Sequence, residues 1–282
     1  MEKKNKLNGK DGFNSFYENF FHERWLKIKN AFEKEPSYVQ FKIESHEVAD
    51  EEKYFLDKAS YFVATQLSLE NAEKILDMCA APGGKSLVIA SRMKKGATLV
   101  CNERSAERRN RLIKNLHIQL PENIYSRIIV TGNDGALMCL KNREVFDAIF
   151  LDAPCSSERH VYNSEHHLKK WTVARTKNLS YTQWSLLSSA FLLLKEDGVL
   201  VYATCSLSPA ENDNVIEKLL KKHKNVTIKK IDMQEKKDIH KKNFYFDELF
   251  LEKTKYGYAI LPDVSNGAGP MYFCLVKKLK LR

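Results

Sequence analysis

The feature that most constrains the fold is a regular alternation of short apolar runs with amphipathic segments between residues 74 and 205. Five runs, too short for helices and rich in β-branched or aromatic residues, predict strands at 74–80, 97–103, 126–132, 146–153 and 198–205. Segments with apolar residues three and four positions apart predict helices at 83–94, 105–118 and 182–195. This strand–helix repetition predicts an α/β fold with a mostly parallel sheet covered on both faces.

Both ends of the chain predict additions to this core. Residues 225–231 and 271–279 predict two more strands, which we expect to form an antiparallel pair at one edge of the sheet, and residues 229–243 form a charged break. Residues 16–34 predict one amphipathic N-terminal helix, because apolar side chains recur at roughly helical spacing. These are Phe20, Trp25, Ile28 and Phe32.

Charge and cysteine content narrow the class of protein. The chain has 46 Lys and Arg against 36 Asp and Glu, a net charge of +10, which favours a polyanionic partner, nucleic acid first. No run of about 18 apolar residues predicts a membrane span and no N-terminal apolar segment predicts a secretion signal, so we expect a cytoplasmic protein. We also expect a monomer. The six cysteines are scattered singly, which predicts neither a cysteine metal site nor a disulfide framework.

Candidate functional residues cluster where the predicted strands end, and ligands bind at that edge of an open parallel sheet. Asp77 lies in the first strand, and the small residues of the turn at 79–85 would let backbone N–H groups approach a ligand. Glu103 ends the second strand, where this fold presents a carboxylate to a nucleotide ribose, and Asp134 follows the third, where it could face an adenine. One such acid alone would be an ordinary turn residue, but three favour a nucleoside-bearing cofactor.

Two cysteines occupy equivalent positions on this edge. Cys155 follows the fourth strand, close to Asp152, and Cys205 follows the fifth. A thiolate there could add to an electron-poor carbon. The cysteines at 101, 139 and 274 are predicted to be buried packing residues instead.

The segments LDMCAAPGGKS, LDAPCSSERH and VYATCSLSPAEN resemble, in this order, motifs of the Sun-domain family of RNA cytosine-5 methyltransferases. The likeness extends from about residue 12 to residue 278. It implies a Rossmann-like methyltransferase fold that uses S-adenosylmethionine, with residues 51–282 as the catalytic domain and residues 1–50 as a helical RNA-binding extension. It also implies an RNA substrate, for which ribosomal RNA is the first candidate and transfer RNA the second.

The same resemblance implies roles for individual residues. Cys205 would attack C6 of cytosine, and Cys155 would assist release of the covalent adduct. Asp152 would bind the N3 and amino edge of the base, with Lys85 beside it. The implied cofactor-binding residues are Cys79, Ala80, Ala81, Pro82, Gly83, Gly84, Lys85, Glu103, Arg108, Asp134 and Asp152.

Two alternative functions remain open from the sequence. A DNA cytosine-5 methyltransferase also has a P-C motif, but its P-C thiol is the nucleophile and needs no partner such as Cys205. A noncatalytic RNA-binding assembly factor could keep the fold. Such a protein would be recognised by loss of Cys205 or of the A-P-G-G-K turn, and this chain has both.

Residues 156–180 predict a long polar loop. Its Trp171 could stack on a base, and several basic side chains could contact phosphates, or the loop could simply be solvated. Those basic residues are His160, His166, His167 and Arg175.

Overall fold

The computed structural model describes residues 8–231 and 248–280. The strands are β1 (Tyr38–Gln40), β2 (Phe55–Asp57), β3 (Lys74–Asp77), β4 (Thr98–Asn102), β5 (Ile128–Thr131), β6 (Phe146–Asp152), β7 (Leu194–Thr204), β8 (Val226–Lys229), β9 (Leu251–Lys253), β10 (Tyr258–Ile260) and β11 (Met271–Lys278). The helices are α1 (Gly9–Phe21), α2 (Arg24–Phe32), α3 (Lys58–Thr65), α4 (Gly84–Arg92), α5 (Ala106–Gln119), α6 (Glu122–Tyr125), α7 (Met138–Lys141), α8 (Glu158–Tyr162), α9 (Glu165–Lys169), α10 (Val173–Leu193) and α11 (Asp213–Lys222).

The five predicted strands form the parallel centre of the main sheet. They lie side by side in the order β5-β4-β3-β6-β7, and each neighbouring pair is parallel. The order reverses between β3 and β6, so that a crevice opens at the carboxyl ends of these two strands. The prediction of an α/β fold with a mostly parallel sheet is therefore confirmed.

An antiparallel region extends the sheet beyond β7. β11 pairs with β7, and β8 pairs with β11, which confirms the predicted antiparallel pair of the two late strands. β11 is not an edge strand, however, because β10 and β9 follow it in the sheet. These two strands have three residues each, too few for a periodic pattern to reveal. The charged break predicted at 229–243 lies outside the described residues from residue 232 onward.

Helices cover both faces of the sheet, because alternate strand residues point in opposite directions. Ile75 of β3 lies in a core shared with α3, α4 and α5, whereas the next residue, Leu76, lies in a core shared with α10 and α11. The sheet is thus the middle layer of three, as a parallel sheet requires.

The N-terminal segment forms two helices, and the prediction of a single helix is wrong. α1 and α2 are separated at His22, whose φ is 49°. Trp25, Ile28 and Phe32 are buried as predicted, but Phe20 is 46% exposed. The bend lets both helices turn aromatic side chains into one cluster, which a straight helix of this length would not allow.

The predicted loop at 156–180 is mostly helical, because it contains α8, α9 and the first turns of α10. Ser164 and Thr172 cap α9 and α10 by accepting hydrogen bonds from backbone N–H groups three residues later. Trp171 is buried against Phe13 and Phe16, so the prediction that it could stack on a base is wrong. The four basic side chains predicted to contact phosphates are exposed, and that contact stays a prediction.

The predicted division at residue 50 stays a prediction. β1 lies before this position and pairs in antiparallel fashion with β2 after it. The two helices α1 and α2 pack on α8 and α9 through a shared apolar cluster that includes Val161 and Leu168.

Candidate active site

The conformation of the turn after β3 is fixed by hydrogen bonds from side chains of the neighbouring strand and helix. Asn102, at the end of β4, donates from Nδ2 to the carbonyls of Met78 and Asn133, at 3.1 and 3.0 Å. From α5, Arg108 donates to the carbonyl of Ala81 and Asn115 to that of Pro82, both at 2.8 Å. The turn is therefore fixed by contacts that do not involve a ligand.

The two glycines of this turn accommodate protein neighbours. Gly83 has a φ of 119°, and a Cβ there would lie 3.3 Å from Leu112 Cδ1 on α5. A Cβ on Gly84 would lie 3.0 Å from Tyr54 Cε1. Both positions need glycine for close packing, and Gly83 also for its left-handed backbone.

Asp77, the last residue of β3, has a buried carboxyl oxygen without a hydrogen-bond partner among the described residues. Ser86 Oγ donates to Asp77 Oδ2 at 2.6 Å, but among the described residues Oδ1 has no hydrogen-bond partner. Burial raises the pKa of Asp77 to about 7. A buried oxygen without a partner is a position that a donor group of a ligand would satisfy.

A cleft of about 240 Å³ opens beside Asp77. One wall comes from the turn after β3 together with Lys85 and Asp152, and the opposite wall comes from β1, β2 and the start of α3. The residues of this second wall are Tyr38, Tyr54, Phe55, Leu56, Asp57 and Ser60. The sequence did not single them out, because they become neighbours of the turn only through long-range packing.

Three predicted cofactor residues lie near the turn but do not line this cleft. Glu103 is 5% exposed and accepts a hydrogen bond from Ser105 N–H at 2.9 Å. Arg108 lies 3.3 Å from Glu103 Oε2 and so connects this carboxylate to the turn. Asp134 accepts from Ala136 N–H and pairs with Arg104 at 3.1 Å, at the end of β5.

Lys85 and Asp152 form an ion pair at the switch point. Lys85 Nζ lies 2.7 Å from Asp152 Oδ2, and the two side chains are 18% and 28% exposed. Burial alone would lower the pKa of Lys85, but Asp152, with smaller contributions from Cys205 and Asp77, raises it to about 12. Lys85 is therefore a fixed positive charge beside Asp152 at neutral pH.

The two cysteines meet because β6 and β7 are neighbours. Asp152 pairs with Ala203 in the ladder, so the chain segments that follow both strands run side by side. Both thiols are free, and their sulfurs are 3.0 Å apart. Ser157 Oγ lies 3.2 Å from Cys205 Sγ and 3.5 Å from Cys155 Sγ.

The surroundings of the two thiols differ. The hydrogen bond with Cys205 and burial hold the pKa of Cys155 well above its usual value, so that Cys155 is a protonated thiol at neutral pH. It can therefore donate to Cys205. Cys205 Sγ also contacts Ser157 Oγ, so two groups that can donate hydrogen bonds adjoin this sulfur.

The predicted buried cysteines behave as packing residues. Cys101 and Cys274 are fully buried in strands, and Cys139 is 9% exposed.

Among residues 8–231 and 248–280, no group of three or more His, Cys, Asp or Glu could hold a metal ion. Within the same residues, no helix is both long and apolar enough to cross a membrane.

Comparison with known proteins identifies relatives along most of the chain. A family described as 16S rRNA methyltransferase RsmB/F matches residues 64–274. The mitochondrial tRNA (cytosine(34)-C(5))-methyltransferase of Danio rerio is 32% identical over 247 residues, which is 86% of this chain and 66% of that protein. The 5-cytosine rRNA methyltransferase NSUN4 of Mus musculus is 30% identical, over 80% of this chain and 60% of its own.

A bacterial relative and two solved structures extend this comparison. Ribosomal RNA small subunit methyltransferase F of Enterobacter sp. is 38% identical over 57% of this chain and 33% of its own. This chain thus spans 66% or less of these relatives' lengths. A methyltransferase homolog from Pyrococcus horikoshii has the same fold, with a TM-score of 0.72 at 20% identity over 97% of this chain and 96% of its own. NSun6 from that organism gives 0.61 at 19% identity, over 81% and 54%.

Proposed function

This chain belongs to the RsmB/F family of methyltransferases, and on that basis we propose that it methylates C5 of cytosine in RNA with S-adenosylmethionine as the methyl donor. Family membership confirms the resemblance inferred from the three sequence motifs. The activity, the substrate and the roles of individual residues are the proposal.

The observation that carries the proposal is the pair of thiols in contact at the carboxyl ends of β6 and β7. C5 of cytosine is a weak nucleophile, so the ring needs activation by addition of a thiolate at C6. Cys205, in contact with the protonated Cys155 and with Ser157, would supply this thiolate. Asp152, held by Lys85, could accept hydrogen bonds from the amino group and the protonated N3 of the base.

The residues around the turn fit S-adenosylmethionine. The unpartnered Asp77 Oδ1 and the small-residue wall of the cleft would hold its methionine end, and Glu103, Arg108 and Asp134 its nucleoside end. When bound, this cofactor supplies an electrophilic methyl group. The protein supplies the binding cleft, and the small residues of the turn leave space there for the cofactor.

The chain's own groups would act in two steps. First, Cys205 Sγ bonds to C6 and the electron pair of the C5–C6 double bond moves to C5, which can then bond to the methyl group that the cofactor would supply. Second, once C5 carries this methyl group, a base removes the proton from C5, the electron pair of that C–H bond restores the C5–C6 double bond, and the bond between Cys205 Sγ and C6 breaks to release the thiolate. Cys155, in contact with Cys205, would assist this second step.

Ribosomal RNA is the first candidate substrate and transfer RNA the second, since the relatives include methyltransferases named for each. Bisulfite sequencing of total RNA from cells with and without this gene would identify the methylated cytosine. The cytoplasmic location and the monomeric state expected from the sequence remain part of the proposal.

Substitution of the two thiols tests the mechanism. Cys205→Ala should abolish methylation and leave RNA unlinked, because no bond to C6 can form. Cys155→Ala should also abolish turnover, but a covalent protein–RNA adduct should accumulate and survive denaturing electrophoresis. Cys139→Ala, which changes a packing cysteine that does not line the cleft, is the control and should methylate normally.

The alternatives give different results in the same assay. In a DNA cytosine-5 methyltransferase the P-C thiol attacks, so the adduct would form with Cys205→Ala and not with Cys155→Ala. A noncatalytic assembly factor would form no adduct with either variant, and the wild-type protein would transfer no methyl group to RNA.

A further inference from the structure

A serine directly follows each of the two cysteines, and both serines contact the same two buried carboxyl groups. Ser156 follows Cys155, and Ser206 follows Cys205. Ser156 Oγ is hydrogen-bonded to both Glu158 and Glu211. Ser206 Oγ lies 3.2 Å from Glu158 Oε1 and 3.1 Å from Glu211 Oε1, and the two serine hydroxyls are 2.9 Å apart.

The second oxygen of each carboxyl group holds the backbone of one cysteine-bearing segment. Ser156 N–H donates to Glu211 Oε2 at 3.0 Å, so a residue beyond β7 holds the segment after β6. Leu207 N–H donates to Glu158 Oε2 at 2.9 Å, so a residue beyond β6 holds the segment after β7. Glu158, which follows Cys155 in the chain, thus holds the segment after Cys205, and Glu211, which follows Cys205, holds the segment after Cys155.

The pair has polar neighbours but no counter-ion. Tyr17 of α1 donates to Glu158, and Gln183 of α10 donates to Glu211 at 2.8 Å, while Tyr202 of β7 donates to the backbone carbonyl of Glu211. Both Glu158 and Glu211 are 0% exposed. No ion pair of either with a Lys, Arg or His is found in residues 8–231 and 248–280.

Two buried carboxyl groups without a cation do not both ionise easily. Burial, and then the charge of Glu158, raise the pKa of Glu211 to about 7. A proton shared by the pair also adds a donor to the cluster, because each serine hydroxyl contacts both carboxyl groups and the other serine hydroxyl but has only one proton to donate.

We propose that Glu158 and Glu211 are positioning residues whose hydrogen-bonded pair, with one shared proton, holds Cys155 and Cys205 in contact. The pair touches neither sulfur; it acts through Ser156, Ser206 and the backbone on either side. This inference rests on the proposed function only for its effect on catalysis, because the spacing of the thiols can be measured without RNA.

The rate at which diamide joins the two thiols into a disulfide reports their spacing. Two cysteine protons and two electrons pass to the azo group of diamide, which is reduced to a hydrazine, and the S–S bond forms. Glu211→Ala should slow this reaction and lower kcat by about 10- to 100-fold, because small displacements of reacting groups carry penalties of that size. The KM for RNA should change little, since both carboxyl groups are buried and neither lines the cleft.

Glu211→Gln should rescue both measurements to within about threefold near pH 7, because glutamine reproduces the size and the donor of a protonated carboxyl group. The wild-type protein should fall behind this variant in disulfide rate as the pH rises through about 7, where the shared proton is lost. Glu217→Gln, on the surface of α11 and paired with Lys255, is the matched control and should behave as the wild type.

A folded Glu211→Ala variant that forms the disulfide at the wild-type rate would overturn the inference, as would a Glu211→Gln variant no better than Glu211→Ala. If Glu211→Ala does not fold, Ser206→Ala serves as the test instead. It removes one hydroxyl that connects the two carboxyl groups and should also slow disulfide formation. Failure of the wild-type protein to methylate RNA would instead contradict the proposed function. The disulfide rates would still test the role of the carboxyl pair, because they are measured without RNA.

Discussion

Gly83 shows how one residue can serve packing where its motif suggests ligand binding. The small residues of the turn were predicted to let a ligand approach the backbone, but the missing side chain of Gly83 faces Leu112 and Asn115 of α5. Its effect on a ligand is therefore indirect, through the shape of the turn. The neighbouring turn residues 79–82 and Gly84 line the cleft.

We expect Gly83→Ala to lower the free energy of unfolding by about 3 kcal/mol, because overpacking adds to the cost of a left-handed backbone. Gly96→Ala is the matched control, since Gly96 also has a positive φ, 82°, but a Cβ there would meet nothing within 4 Å. It should cost about 1 kcal/mol, the backbone contribution alone. Urea unfolding measures both, and equal losses would show that contact with α5 is unimportant.

At the scale of elements, the β1–β2 hairpin supplies the wall of the cleft opposite Lys85 and Asp152. Its register pairs Tyr38 with Asp57 and Gln40 with Phe55, so these four side chains share one face. The other face is buried through Val39 and Leu56. Tyr38 and Phe55 are each 55% exposed, and both line the cleft.

Exposed aromatic rings beside a cleft that we propose receives the target base should stack on unpaired nucleotides. We expect Tyr38→Ala and Phe55→Ala each to weaken RNA binding about tenfold, since one stacked base contributes about 1–3 kcal/mol. Tyr181→Ala, which removes a ring of similar exposure (53%) on α10, is the control. Fluorescence anisotropy with labelled RNA measures the three variants. An equal loss with Tyr181→Ala would argue against a stacking wall.

At the scale of the whole molecule, buried carboxyl groups make stability depend on pH. The pKa values of Glu211 and Asp77 are raised to about 7 by burial, whereas an unfolded chain would release these protons near 4.5 and 3.8. Because the folded protein binds more protons than the unfolded one between these values, the free energy of unfolding falls as pH rises through this window.

We expect the urea midpoint to be higher at about pH 5 than at about pH 8, and Glu211→Gln to reduce that difference without abolishing it, because Asp77 still titrates. Glu217→Gln should leave the difference unchanged, since Lys255 holds the pKa of Glu217 below its usual value and outside this window. A wild-type midpoint that does not vary with pH would mean that neither buried carboxyl group retains its proton in the folded state.

The net charge of +10 is also a property of the whole chain. Because cationic side chains release counterions from RNA phosphates, the logarithm of RNA affinity should fall linearly with the logarithm of salt concentration. Filter binding over a range of potassium chloride concentrations gives the slope. A slope near zero would show that the positive charge does not contact the RNA backbone.

The amino-acid sequence alone determined the strands of the parallel centre, the positions of the candidate site residues at their ends, and the family. These properties are local, because a β-branched run or a motif such as A-P-G-G-K can be identified within about ten residues. The same local view missed the bend at His22, the short strands β9 and β10, and the capped helices α8 and α9. In these regions the apolar cluster and the sheet edge decide the structure, and their members are far apart in the chain.

Only the tertiary structure decided the geometry of the candidate site. Cys155 and Cys205 are fifty residues apart, and their sulfurs meet because β6 and β7 pair in one particular register. The C-S sequence at both positions was visible, but nothing local showed that both serines share Glu158 and Glu211. Distances between distant segments follow from how helices and strands pack over the whole core, and packing is a property of all these residues together.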